Sequence, residues 1–501
     1  MRLLCAAGLA LLSSAALPAS AAQFQNGQAA RAVIGQPSFS ARDTGVTPMA
    51  LSLSNGRLYV ADASNHLLAF DLSQLPGARD DFAKRQSSGC AVCLVTPAAT
   101  LNQSVIPGIA AVSVFGKSIA IADTVKKRVL VWRDASSEAA LKGPDVILGG
   151  AGSDAPISAS TLVEPISVAL DGSRLFVGDG TLHRVLVWNG LPQSNNQPAD
   201  AVLGQQNFNS SALADSPTAD SIARPVALES DGTNLFVADS ANRRVLIFTA
   251  ADVPLPSGSL VNSASLSGDA LAPATLITIS AAGLTQSTAT APDDTTQPLP
   301  KTLGGVEAVL DGEALPLLSV SPSEIRAQLP FDIANRSSAS FYLRSESGDG
   351  SVLISNAISV NLLPVAPGLF AFSGQEPRPG MSVHAQGAPV TGNSPAHPGE
   401  TITLWAAGLG SVVTSDSAAT LEAGVPNPQP DAPVRIPVSA TINGMPAQVV
   451  SAALPQGSIG IYELHIVLPA NLPDHSAALL AISQDGRQSN SVTIPVQSTI
   501  Q

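Results

Sequence analysis

Along this chain apolar residues come in short, often alternating runs cut by Gly, Pro, Asn and Asp. Short runs bounded by turn residues predict strands rather than helices. Four of the runs are versions of one another: "LYVADASNHLLAF" (58–70), "IAIADTVKKRVLVW" (119–132), "LFVGDGTLHRVLVW" (175–188) and "LFVADSANRRVLIF" (235–248). Their aspartates, Asp62, Asp123, Asp179 and Asp239, are 61, 56 and 60 residues apart, a period that marks an array of supersecondary units.

Each unit carries a proline (Pro48, Pro107, Pro165, Pro225), an apolar strand, and then a turn: Asn55-Gly56, Phe115-Gly116, Asp171-Gly172 or Asp231-Gly232. Asn-Gly and Asp-Gly predict tight hairpins, because both central residues of a type I′ turn need positive φ. Upstream stand "AVIGQPSF", "VILGGAGSD" and "AVLGQQNF", read as a further short strand of three of the units. Each unit thus supplies about four strands, one blade of a β-propeller. The pairs Asp123 and Arg128, Asp179 and Arg184, and Asp239 and Arg244 are placed to meet across a hairpin turn. Leu67 takes the arginine's place in the first unit. A charge pair repeated in successive units predicts a structural corner, since catalysis needs one site unlike its copies. Trp132 and Trp188, in the place of Phe248, are expected to pack between blades.

Proline, apolar strand, D-G turn, "LFVAD" and "NRRVLIF" together resemble NHL repeats. "VLGQxxF" is similar to the spacer of some exported bacterial NHL proteins. The resemblance covers roughly residues 30–250 and implies a β-propeller.

Beyond the proline-rich stretch at Pro254 and Pro256 the pattern changes and a duplication appears. "LITISAAGLTQ" matches "TITLWAAGLGS", "VEAVLDGEALPLL" matches "VSATINGMPAQVV", "IRAQLP" matches "LHIVLP", and "SNAISV" matches "SNSVTI", in the same order. Two related antiparallel sandwiches of immunoglobulin-like type are expected, at 257–363 and 364–499. "NSASLSGDALAPATLITISAAGL", "APGLF" and "PGETITLWAAGLG" resemble the Solibacter-type C-terminal domain, an uncharacterised module of exported acidobacterial proteins. That resemblance implies export and a surface role. The expected fold class is therefore all-β: an NHL-like propeller followed by two sandwiches.

Residues 1–21 read as a signal peptide, with Arg2, an apolar run Leu3 to Leu17 and a small-residue site Ala19-Ser20-Ala21. The expected address is secreted, periplasmic or cell-surface, with no transmembrane segment after cleavage. In an oxidising compartment Cys90 and Cys93 are expected to form a disulfide. With 25 basic and 38 acidic residues, net charge −13 and no basic block, nucleic acid is not an expected partner. His66, His183, His384, His397, His465 and His475 form no HExxH motif, and the sequence holds no GxSxG elbow and no P-loop. No cofactor is expected. If Asp62, Asp123, Asp179 and Asp239 converge, calcium is the metal their carboxylates suit.

Two functions follow as expectations. The first is a non-enzymatic binding, adhesion or scaffold protein for a protein or glycan surface partner, the propeller serving as recognition disc and the sandwiches as stalk or further contacts. The second is an enzyme of the propeller channel, a lyase or lactonase-like hydrolase, calcium-dependent if the aspartates meet.

Overall fold

The computed structural model describes residues 22–42, 46–54, 57–63, 66–72, 99–100, 110–134, 143–150, 156–292, 297–414 and 421–498. Residues 1–21, Cys90 and Cys93 lie outside that set, and so do the side chains of His66 and Leu67. The described residues form antiparallel sheets and short 3-10 turns, without α-helix. Among the described residues no helix is long and apolar enough to cross a membrane.

The described residues of the repeat region form four four-stranded sheets. Sheet 1 holds Pro48–Ser54, Arg57–Asp62, His66–Asp71 and Ala99–Thr100, and sheet 2 holds Ala111–Phe115, Ser118–Asp123, Arg128–Trp132 and Val146–Gly149. Sheet 3 consists of Pro165–Leu170, Leu175–Asp179, Arg184–Trp188 and Ala201–Leu203; sheet 4 of Pro225–Ser230, Asn234–Asp239 and Arg244–Thr249 with Ala32–Ile34.

The fourth strands correct one sequence expectation. "VILG" and "AVLG" do not open the unit that follows them: each completes the preceding sheet, Val146–Gly149 pairing with Arg128–Trp132 and Ala201–Leu203 with Arg184–Trp188. The first copy, "AVIG", has no sheet before it among the described residues, and Ala32–Ile34 pairs with Arg244–Thr249 at the far end of the repeat region. The physical cause is the open edge of each third strand, whose N–H and C=O groups need partners.

The "GQ" after this strand locks it in place. Gly35 and Gly204 adopt φ of +90° and +87°, and a Cβ on Gly204 would stand 2.8 Å from the His183 carbonyl. The next residue then reaches the hairpin turn: Gln36 Nε2 donates to Arg243 O (3.0 Å) and Gln205 Nε2 to His183 O (3.2 Å). Arg243 and His183 are themselves left-handed, at φ 55° and 53°.

Sheets pack face to face through apolar clusters in the order 1, 4, 3, 2. Leu58, Val60 and Phe70 of sheet 1 meet Phe236, Val245 and Ile247 of sheet 4. Sheet 4 in turn meets sheet 3 through Leu235, Val237, Phe176 and Val185, and sheet 3 meets sheet 2 through Val177, Trp188, Val129 and Leu148. Each fully buried aliphatic or aromatic side chain of this kind contributes about 1.5–3 kcal/mol. Among the described residues sheets 1 and 2 share no such cluster, and Val112, Val114 and Phe115 of sheet 2 are exposed.

The first C-terminal unit has two five-stranded sheets around one core, with Ile277, Ile279 and Ile325 from one sheet and Ala308, Leu310 and Phe341 from the other. In the second unit ten strands form one continuous curled sheet, because the long strand Met445–Leu454 pairs with Val438–Ile442 through its first residues and with Tyr462–Val467 through the rest. The first unit is anchored to the repeat region. Its Ser338 Oγ accepts Ala219 N–H (3.1 Å), its Ser340 Oγ donates to Ala30 O (2.6 Å), and Tyr342 and Ile354 join the core of sheets 3 and 4.

Candidate binding rim

The repeated aspartates and arginines build corners. In sheet 4 the Asp239 carboxylate accepts the N–H groups of Ala223 and Arg224 through Oδ1 (2.9 Å each), and Asn242 Nδ2 (2.8 Å) and Arg244 Nε (3.0 Å) through Oδ2. Arg244 spends its remaining donors on Phe39 O and Ser221 O, both at 2.6 Å. Both partners are fully buried. Burial pulls the Arg244 guanidinium below its ordinary pKa, and the Asp239 charge opposes that pull.

Sheet 3 repeats the corner with one difference. Asp179 accepts Val163 N–H (2.8 Å) and Glu164 N–H (3.0 Å), and Arg184 donates to Phe208 O (2.7 Å), Thr161 O (2.8 Å) and Ser158 O (3.1 Å). Arg184 thus bonds three carbonyls, and its Nε has no hydrogen-bond partner. Phe39 and Phe208 are the phenylalanines of "GQPSF" and "GQQNF", so the spacer and the arginine form one device. In sheet 2 Asp123 Oδ2 accepts Arg128 Nε at 2.9 Å, in a more open setting. Burial works to raise the Asp123 carboxyl, but the bonds from Arg128 and the Lys126 N–H, with their charges, hold it below the ordinary value. In sheet 1 Asp62 Oδ1 accepts Thr47 N–H at 2.6 Å.

The four aspartates therefore sit one to a sheet, each tied to its own corner. No three His, Cys, Asp or Glu residues among the described ones are grouped to hold a metal ion.

In sheets 1, 3 and 4 the residue after the aspartate bonds the residue before the first proline along one edge, Ala63 N–H to Thr47 O, Gly180 N–H to Glu164 O and Ser240 N–H to Arg224 O, and here the copies diverge. Before the prolines stand Thr47, Glu164 and Arg224; after the aspartates stand Ala63, Thr124, Gly180 and Ser240. Arg224 reaches from sheet 4 to sheet 3, with Nη2 2.7 Å from Glu164 Oε1 and Nη1 3.2 Å from Oε2. Thr181 Oγ1 also donates to Glu164 Oε2 (2.9 Å). The Arg224 bond is the main cause holding the Glu164 carboxyl below its ordinary pKa, against the opposing effect of burial. A Cβ on Gly180 would lie 2.7 Å from Glu164 Oε2, so a side chain there would displace the carboxylate. Beside the pair, His183 Nδ1 lies 2.6 Å from Ala223 O. Arg224 remains 44% exposed, so this fork of charge faces solvent.

Glu164 and Arg224 stand outside the repeated aspartate-arginine pattern that marks the corners in the sequence. The signal was available: in units that repeat their corner, an acid and a base stand at one equivalent position.

Neither a family model nor a curated protein sequence matches the chain. Among solved structures it is similar to the computationally designed Ika4 protein (11% identity, 43% of this chain and 96% of that one, TM-score 0.17). It is also similar to SGBP-B of the Bacteroides ovatus mixed-linkage glucan utilization locus (14%, 48% and 44%, 0.15) and to a Ca2+-stabilized adhesin by which an Antarctic bacterium binds ice (13%, 54% and 57%, 0.15). TM-scores this low carry no argument about fold or activity.

Proposed function

We propose that this is an exported binding or adhesion protein of the cell envelope or surroundings. Its repeat region is a four-bladed, NHL-like β-propeller used as a recognition disc for a protein or glycan surface partner. The two C-terminal units are immunoglobulin-like domains of the Solibacter type and serve as stalk or further contacts. One observation carries this reading: the repeated Asp and Arg residues are turned into the corners and used for structure, whereas the loop edge beside them carries an unlike, part-exposed pair, Glu164 and Arg224. Selection for binding acts on exposed loops held by a repeated scaffold. The calcium-dependent form of the channel-enzyme alternative is the weaker one, because the four aspartates that would hold the ion are distributed one to a sheet.

The test is binding of full-length mature protein to arrayed bacterial glycans and to envelope protein fractions, with Arg224→Ala and Glu164→Ala beside it. Each variant should weaken the captured interaction by about tenfold or more while melting as the wild type, in line with loss of a charge-assisted pair at a contact. Unchanged binding by both variants would remove the rim from the function.

A further inference from the structure

The second C-terminal unit contains an arrangement of side chains that the first lacks. His384, ending the strand Ser382–His384, directs Nδ1 to Glu400 Oε1 at 2.6 Å. Its Nε2 lies 3.1 Å from Ser394 Oγ and 3.2 Å from the Ser394 carbonyl. Glu400 is itself oriented, its Oε2 accepting the His397 N–H at 2.8 Å. His384 is buried, and Ser394 is exposed on a turn closed by mutual backbone bonds with Thr391. Gly392, two residues before the serine, and Pro395, directly after it, line a groove of ≈ 330 Å³ that continues past His475 and Val496.

The fold does not require these groups. Register places Asn262 of the first unit where His384 stands, since Asn262 pairs with Ile277 as His384 pairs with Ile402. Thr275 stands in the place of Glu400, and its hydroxyl lies 3.3 Å from the Ala272 N–H, the equivalent of the N–H that Glu400 accepts. A threonine therefore meets the structural need of this loop. The loop between the two positions is also longer in the second unit, and the extra length carries Ser394.

We propose that Ser394, His384 and Glu400 form a nucleophile, base and positioning acid for acyl transfer from carboxylic esters. A nucleophile bonded to a base that is oriented by a third group defines this chemistry on unrelated folds. With Nδ1–H donated to the Glu400 carboxylate, Nε2 keeps its lone pair and accepts the Ser394 hydroxyl. Ser394 Oγ attacks the ester carbonyl carbon as its proton passes to Nε2. The resulting Nε2–H faces the Ser394 carbonyl and the leaving oxygen. The C–O bond to the alcohol then breaks, Nε2 returns the proton to the departing oxygen, and an acyl-Ser394 ester remains. Water deprotonated by the same nitrogen attacks that ester and releases the carboxylic acid and free Ser394. Pro395 follows the serine and has no N–H to stabilise an oxyanion. The substrate class is accordingly esters with good leaving groups, which need least help at that oxygen.

The experiment uses the full-length mature protein, a fluorophosphonate probe with mass mapping of the labelled residue, and 4-nitrophenyl acetate hydrolysis. The wild type should be labelled at Ser394, and Ser394→Ala should lose the label and about 10²-fold or more of the rate. Glu400→Gln should lower kcat with KM unchanged, which a purely structural loop contact would not do. His384→Asn, the residue of the first unit at this place, should also lose labelling while melting as the wild type. Wild-type protein that neither takes the probe at Ser394 nor exceeds Ser394→Ala in rate would overturn the proposal, and an unchanged kcat in Glu400→Gln would remove Glu400 from it.

Discussion

The two C-terminal units are one architecture written twice, and their agreements and differences separate what the fold needs from what it merely carries. The "SN" of each unit makes the same corner. Asn356 Oδ1 accepts Leu255 N–H (2.6 Å) and its Nδ2 donates to Leu255 O (2.9 Å); Asn490 does the same with Leu369, at 2.8 and 3.0 Å. The preceding serines agree too, Ser355 Oγ accepting Leu343 N–H and Ser489 Oγ accepting Ile482 N–H. Both tight turns place an acid or amide and then a glycine at positive φ, Asp311-Gly312 and Asn443-Gly444, and both first residues accept a backbone N–H from the neighbouring strand, at Ser340 and Leu479.

The differences begin at Pro316. In the first unit the chain breaks there: Leu315 N–H still bonds Ala308 O of one sheet, whereas Pro316 O accepts Gln328 N–H of the other. In the second unit Gln448 occupies that register and the strand runs through from Met445 to Leu454. A proline has no N–H for the ladder, so the first unit is two sheets and the second is one curled sheet. The other difference is Glu400 and His384 against Thr275 and Asn262, where one unit carries chemistry that its twin folds without.

Five substitutions test this comparison, taken from the largest expected effect downward. Asn356→Ala and Asn490→Ala should each cost about 2–4 kcal/mol in denaturant unfolding, because each leaves the N–H and C=O of a buried leucine unpaired; unequal costs would break the equivalence of the corners. Gln448→Pro should convert the second unit to the split form of the first and cost about 1–3 kcal/mol. A split ladder would be read by hydrogen exchange around Val467 and Ile466, and unchanged protection there would remove Pro316 as the cause of the break.

Asp311→Asn copies Asn443 into the first unit. Burial is the main cause raising the Asp311 carboxyl above its ordinary value, with the Ser340 N–H and Arg336 opposing. A carboxyl raised on folding contributes stability that is present below its unfolded pKa and is lost as pH rises through the folded one. The wild type should therefore lose up to about 1 kcal/mol relative to Asp311→Asn between pH 3.5 and neutral pH, visible as a pH-dependent gap in melting temperature. A constant gap would show that Arg336 offsets the burial in full. Smallest of all, Glu400→Thr should change unfolding by less than about 1 kcal/mol, since Thr275 serves that loop in the twin. A larger loss would mean that Glu400 holds the fold.

Much of this was legible along the chain. The four hairpins, their Asp and Arg positions and the duplicated second half depend on residues near one another in sequence, where turn chemistry and alternation act directly. Glu164 and Arg224 were harder to see, being 60 residues apart and joined only because sheets 3 and 4 lie side by side. Ser394, His384 and Glu400 fall within one short stretch without matching any spacing motif, because a strand end, a turn and a loop bring them together.

By itself, then, the sequence determined the local elements: strands from alternation, hairpins from Gly and Asp, and the repeat from its period. Tertiary structure alone decided which edges those strands complete, Ala32–Ile34 closing the sheet of Arg244–Thr249 being the clearest case. The reason is physical. Backbone N–H and C=O groups are the same in every residue, so a strand does not name its partner, and the partner is chosen by which open edge the packed sheets leave within reach.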